Sequence, residues 1–206
     1  MKSQNVSEAV VRRLPRYYRH LETLANNNVE RVSSSELAEQ LSLTPSQVRQ
    51  DFNCFGGFGQ QGYGYPVKKL YEEIGLILGL AQKFKMIIAG AGNIGRALCN
   101  HEGFHNKGFE VQALFDINEN LIGQKINGKP VLPIGEMGRY IKENAIDIGV
   151  IAARRTVAQS LADEMVAAGI KAIWNFVPTD INAPVPLENV QLIDSMLVLS
   201  YRVTQH

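Results

Sequence analysis

Met86-Ile-Ile-Ala-Gly-Ala-Gly-Asn-Ile-Gly-Arg96 is the stretch that decides the fold. A short apolar run, Met86 to Ala89, passes directly into glycines at 90, 92 and 95, and helix-forming residues follow. The pattern predicts strand, tight turn and helix, with the G-x-G-x-x-G spacing of a dinucleotide cradle. Gly90 allows the sharp turn, Gly92 the close approach of a diphosphate, and Gly95 the packing of helix on strand. Gly90, Ala91, Gly92, Asn93, Ile94 and Gly95 are therefore candidate cofactor-binding residues. The new helix offers unpaired N–H groups to the phosphates.

Downstream, Val111 to Asp116 reads as a second parallel strand ending in an acid. Asp116 stands 21 residues beyond Gly95, close to where a carboxylate holds the adenosine ribose hydroxyls. It repels a 2′-phosphate, and Ile117-Asn118 supplies no arginine to compensate, so NADH and NAD+ are favoured over the phosphorylated cofactors. Asn127-Gly128 marks a hairpin turn. Helices are expected over Glu136–Glu143 and Val157–Ala168, the second stopped by Gly169, and strands over Ile146–Ala152, Ala172–Asn175 and Val190–Ile193. Strands alternating with helices predict an α/β fold with a parallel sheet of Rossmann type and ligand at the strands' carboxyl ends. Asn175-Phe176-Val177-Pro178 falls at such an end, where it either lines the site or forms a loop with a buried aromatic. The tail Asp194–Val203 is apolar for a chain end and must be tied down, on its own domain or on a second subunit; the second subunit is expected.

Upstream, Leu14, Tyr17, Tyr18, Leu21, Leu24 and Ala25 recur at helical spacing, with Pro15 in a first turn or kinking a helix that begins nearer Ser7. Ser33/Glu36 and Thr44/Gln47 form two capping boxes, with Pro45 at the first helical position of the second helix. Two short capped helices joined by a tight turn make either a DNA-reading helix-turn-helix or a plain helical hairpin. On the second helix Ser46, Arg49, Gln50 and Asn53 face outward while Val48 and Phe52 point inward, and Arg49 suits bidentate contact with guanine. Phe55 to Tyr65 alternates aromatics with glycines, which suits two short strands around a turn carrying Gln60 and Gln61. A hairpin directly after a recognition helix is a wing. Pro66 then opens a helix with Val67, Leu70, Ile74 and Ile77 or Leu78 inward. Domains are expected over residues 1–80 (winged helix) and 86–206 (dinucleotide binding and dimerisation), with 81–85 a connector.

Charge is divided along the chain. Residues 1–85 carry 11 Lys/Arg against 8 Asp/Glu, a balance of +3, and residues 86–206 carry 10 against 12, −2, which together make the net +1. Arg12, Arg13, Arg16 and Arg19 have no acid among them. They fit a polyanion partner or a solvated helix face equally well. Cys54 and Cys99 lack metal or CxxC spacing and read as buried or half-buried free thiols, so no metal is expected. No apolar run approaches the roughly 20 residues needed to span a bilayer, and no signal core follows Met1, so the expected location is cytoplasmic.

A winged helix followed by an NAD-type domain in this order and size resembles the Rex family of redox-sensing transcriptional repressors. The resemblance covers nearly the whole chain. It rests on Arg13-Leu-Pro-Arg-Tyr-Tyr-Arg19, Ser34-Ser-Glu-Leu-Ala38, Gln47-Val-Arg49, Phe55-Gly-x-Phe-Gly59, Gly62-x-Gly-Tyr65, Gly90-Ala-Gly-Asn-Ile-Gly95, Phe115-Asp116, Ala168-Gly-Ile-Lys171, Asn175-Phe-x-Pro178 and Leu199-Ser-Tyr201. It implies a homodimer that binds palindromic operator DNA and lets go when NADH is bound. It also implies DNA contacts from Arg13, Ser46 and Arg49, coupling between domains through Arg19 and Asp194, and a C-terminal helix exchanged between subunits. Several positions depart from the family pattern. Gln50 replaces a lysine after the recognition arginine, and Gln60-Gln61 replace a basic wing tip, each lost phosphate contact lowering the salt slope by about 0.9. His101 stands for a tyrosine near the nicotinamide, and Ala153-Arg154 for Val-Pro at a strand end. An NAD-dependent dehydrogenase is the rival reading, but little chain remains for a substrate domain and no catalytic residue stands out. A nucleotide- or CoA-binding regulator using the same glycine turn is the second rival.

Overall fold

The computed structural model describes residues 6–56, 58 and 63–205, and the chain divides into two units, residues 1–82 and 83–206.

In the first unit α1 (Glu8–Asn26) buries Val10, Leu14, Tyr17 and Leu21, spaced four, three and four residues apart along one stripe. Pro15 lies inside this helix on its exposed side, where the missing N–H disturbs no buried contact. A two-residue strand, β1 (Arg31–Val32), precedes α2 (Ser34–Leu41). Ser42 turns the chain in the left-handed conformation, φ 55°, and α3 (Pro45–Asn53) follows. Both capping boxes form: the Glu36 and Gln47 amides donate to the Ser33 and Thr44 hydroxyls at 3.1 and 3.2 Å, and the side chains of Glu36 and Gln47 accept in return. α4 (Val67–Ile77) packs on α1, with Val67, Leu70 and Ile74 buried.

The expected hairpin needs correction. β2 (Tyr65–Pro66) pairs antiparallel with β1, Val32 opposite Tyr65. Phe55 and Gly56 belong to a turn and Phe58 to no strand. The aromatics there serve packing: Phe58 and Tyr65 both set their rings edge-on to buried Phe52. The tip glutamines, including candidate Gln61, lie outside the described residues.

The second unit is built on a seven-stranded sheet. Its elements are β3 (Phe84–Ala89), α5 (Asn93–Cys99), α6 (Glu102–Asn106), β4 (Phe109–Asp116), β5 (Lys125–Ile126), β6 (Lys129–Pro133), α7 (Met137–Asn144), β7 (Ile148–Ile151), α8 (Ala158–Ala167), β8 (Ala172–Asn175), β9 (Leu187–Asn189) and α9 (Leu192–Thr204). The strand order is β5-β6-β4-β3-β7-β8-β9, parallel except for the β5–β6 hairpin. Leaving β5 aside, this is the 3-2-1-4-5-6 order of the Rossmann fold, whose order reverses between β3 and β7. Alternation divides the core: Ile87 and Ala89 face Met137, Ile141, Leu161 and Met165 of α7 and α8, while Met86 and Ile88 face the α5 side. A register shift between Met86 and Ile87 carries Val111 to one face and Ala113 to the other.

Two boundaries differ from expectation. Phe84 and Lys85, expected in the connector, stand in β3, where Phe84 stacks on its partner Phe109. The last strand is Leu187–Asn189, and Leu192–Ile193 already belong to α9. A short apolar run such as Val190–Ile193 has no period that separates strand from helix. Every residue of α9 is exposed, including Leu192, Ile193, Met196, Leu197 and Leu199.

Candidate functional site

Each unit holds one half of the candidate machinery. In the first, the capping boxes and the Ser42 turn set α3 against α2, and Val48 and Phe52 anchor it to the core. Ser46, Arg49, Gln50 and Asn53 are left exposed on one face. The Arg49 guanidinium donates to Ser34 Oγ at 3.1 Å and to Ser46 Oγ at 3.2 Å, so it is held over the start of both helices. A planar fork presented this way can donate two parallel bonds to a base edge or a phosphate.

Arg13 is placed differently from the expectation of a free DNA contact. Its Nε and Nη2 donate to the two carboxylate oxygens of Asp51 at 2.6 and 2.7 Å, a bidentate pair joining α1 to the recognition helix. Asp51 is 2% exposed and also accepts from the buried Tyr17 hydroxyl at 2.8 Å. The Asp51 bond holds the Arg13 guanidinium above its ordinary value, and burial together with the bond to Asp51 pushes the Tyr17 phenol up. The α3 sequence alone assigns Asp51 no role, because a single acid on a short helix carries no signal of its partner 38 residues away. A cleft of about 570 Å³ opens beside this pair, lined by Ser7, Arg13, Gln50, Asp51 and Asn53 among others. Arg19 is exposed on α1, and Asp194 is exposed in the first turn of α9, in the other unit.

In the second unit the three glycines of the turn meet three different demands. Gly90 has φ +110°, and a Cβ there would lie 2.3 Å from the Ala152 carbonyl oxygen at the end of β7. A Cβ on Gly95 would lie 1.9 Å from the Gly90 carbonyl oxygen, so only glycine lets α5 sit this close to the turn. Gly92 is exposed and a Cβ on it would meet nothing within 4 Å, so the fold itself does not demand glycine there. That open side suits the close approach of a ligand, and Asn93 and Ile94 share its exposure. Asp116 ends β4 next to the turn: its carboxylate accepts from the Ala91 amide at 2.7 Å and from the Asn118 amide at 2.9 Å. Each carboxylate oxygen retains a second acceptor site. The residues present therefore fit a dinucleotide bound across the turn. Arg96, which the glycine spacing did not single out, donates from Nε to the Ala91 carbonyl at 3.0 Å and brings a positive charge to the turn.

The remaining candidates divide. His101 stacks on Phe104 (ring centroids 4.5 Å apart), Phe104 meets Trp174 edge-on, and Trp174 meets Phe176 the same way, so His101 and Phe176 share one aromatic row reaching the end of β8. Ala153 is half-buried beside Gly90. Asn175 needs correction: it is 0% exposed, and its amide is fully engaged. Nδ2 donates to the Val177 and Thr179 carbonyls and to Asn189 Oδ1, while Oδ1 accepts from the Val177 amide. Asn175 shapes the loop after β8 and presents no group to a ligand. Cys99 is buried, with its thiol pushed up by burial, and Cys54 is half-buried at the end of α3. Among the described residues no cluster of His, Cys, Asp and Glu could hold a metal ion, and no helix is long and apolar enough to cross a membrane.

Comparison with known proteins matches both halves. Residues 5–53 fit a family described as "Putative DNA-binding protein N-terminus" and residues 81–179 one described as "CoA binding domain". A redox-sensing transcriptional repressor Rex of Clostridium beijerinckii is 50% identical over 206 residues, 99% of this chain and 98% of that protein. Another of the same name from Caldicellulosiruptor saccharolyticus is 52% identical over 99% of this chain and 94% of its own. Among solved structures, that of RSP in complex with NAD+ and operator DNA superposes with a TM-score of 0.93 at 50% identity, over 97% of this chain and 93% of that one. RSP in complex with NADH gives 0.92 at 47% identity, over 98% and 96%. This chain belongs to the Rex family of redox-sensing transcriptional repressors.

Proposed function

We propose that this protein is a cytoplasmic, homodimeric repressor that binds palindromic operator DNA through residues 1–82 and is released when residues 83–206 bind NADH. The observation that carries the reading is the open face at Gly92 beside Asp116, in one chain with an exposed recognition face at Ser46, Arg49 and Gln50. The similar structures of RSP hold operator DNA with NAD+ in one case and NADH in the other.

In this reading the glycine turn and Arg96 hold the diphosphate, and Asp116 holds the adenosine ribose. The bound cofactor supplies a nicotinamide whose charge and planarity differ between oxidation states. His101, Ala153 and Phe176 face that half of it. Arg49, Ser46 and Gln50 contact DNA, while Arg13 acts through Asp51 by fixing the recognition helix against α1. Arg19 and Asp194 couple the domains across the dimer. No hydride is passed to a substrate, so the protein is a sensor and not an enzyme. NADH can move the equilibrium only by its differential affinity for DNA-competent and DNA-incompetent dimers.

The match to a CoA-binding family favours a second reading, a CoA-type nucleotide at the same turn. Asp116 weighs against it, since a carboxylate repels a ribose phosphate. Asp116→Ala decides between them, because removing a ribose anchor should weaken NADH binding by at least about tenfold, a loss near 1.4 kcal/mol, with operator affinity retained. Trp174, the chain's only tryptophan, reports binding by energy transfer to NADH. Unchanged NADH affinity in that variant would contradict the assignment.

A further inference from the structure

Arg154 and Arg155 are the two charges for which the fold suggests a use not yet assigned. They follow Ala152-Ala153 at the carboxyl end of β7, and Arg154 caps the short 3-10 helix at residues 155–157. Both are exposed. Among the described residues neither side chain forms a hydrogen bond or ion pair. Two adjacent cations without an acidic partner do not stabilise this turn, and two like charges side by side weaken it slightly.

Their place in the sheet supplies the reason. Asp116 ends β4 on one side of β3, and β7 lies on the other side. The Gly90 turn stands between them, with the Ala152 carbonyl close against it. A dinucleotide whose adenosine ribose sits at Asp116 and whose diphosphate crosses the turn must lay its nicotinamide half over β7 and β8. Arg154 and Arg155 stand on that side. The oxidised nicotinamide carries a positive charge and the reduced ring carries none.

We propose that Arg154 and Arg155 bias this site toward NADH by disfavouring the positive ring of NAD+. The inference rests on the dinucleotide reading above. A fixed positive charge beside the ring, in a partly solvated crevice, weakens NAD+ relative to NADH by on the order of threefold to tenfold. Added salt should shrink the bias, because the screening length contracts from about 10 Å at 0.1 M to about 3 Å at 1 M ionic strength.

The test measures the dissociation constants of NADH, NAD+ and ADP-ribose for the intact protein, the R154Q/R155Q variant and the R154K/R155K variant, at low and high salt. ADP-ribose carries the adenosine and diphosphate without the nicotinamide. The ratio of the NAD+ constant to the NADH constant should fall about threefold or more in the glutamine variant. It should stay close to the parent value in the lysine variant, and shrink with salt in the parent. A ratio unchanged in the glutamine variant overturns the inference. So does an equal loss for all three ligands, which would place the arginines on the diphosphate. If the parent protein binds none of the three, the dinucleotide reading itself fails, a result distinct from an unchanged ratio.

Discussion

At the scale of single residues, the Arg13–Asp51 pair joins α1 to α3 through a buried carboxylate. Arg13→Leu leaves a carboxylate that is 2% exposed with the Tyr17 hydroxyl as its remaining hydrogen-bond partner among the described residues. Breaking a buried ion pair from one side costs about 3–5 kcal/mol when the stranded charge stays dry. The Arg13 side chain is 21% exposed, so water relieves part of that, and we expect a loss of about 2 kcal/mol in urea unfolding. Operator affinity should fall as well, because the pair sets the recognition helix on α1, while NADH affinity is retained. A stable Arg13→Leu protein that has lost only DNA binding would instead make Arg13 a direct contact. The same residue shows a limit of reading one chain in order. Its positive charge was visible in the sequence, but its partner was not, since the pairing needs two helices brought together across 38 residues. Asn175 shows the converse: a polar residue at a strand end looks available until its four hydrogen bonds are counted.

At the scale of elements, the glycine turn separates folding from binding. Gly95→Ala drives a methyl group into the Gly90 carbonyl, so α5 must move off the turn. The expected cost is about 1–3 kcal/mol, with weaker NADH binding as a consequence. Gly92→Ala meets no neighbour and Gly92 has φ −75°, so thermal unfolding should shift by less than about 0.5 kcal/mol. NADH affinity should nevertheless drop at least about tenfold, because the methyl group occupies the ligand's side of the turn. If Gly92→Ala binds NADH normally, the phosphates do not lie there. Elements with strong local rules are legible in the sequence. Both capping boxes, the Asn127-Gly128 turn with φ of 48° and 75°, and the acid ending β4 rest on interactions within a few residues. The strand partner of Tyr65–Pro66 was not legible, because Arg31–Val32 is too short to show alternation and lies 34 residues away.

At the scale of the whole molecule, α9 presents Leu192, Ile193, Met196, Leu197, Leu199 and Tyr201 to solvent over 13 residues. An apolar helix exposed on all sides marks an interaction surface, and a second copy of the chain is the partner our reading assigns to it. A dimer also supplies what operator reading needs, two recognition helices spaced for neighbouring major-groove half-sites. In the proposed reading the nicotinamide acts on a two-state dimer, and a shift between mostly bound and mostly released DNA requires up to about 5.5 kcal/mol of differential affinity. The direct measurement is a fluorescence-anisotropy titration of the intact protein on a palindromic operator, with NADH in one series and NAD+ in the other at fixed salt. The account predicts that NADH releases the DNA at concentrations where NAD+ leaves it bound. Equal operator affinity with and without NADH would contradict it.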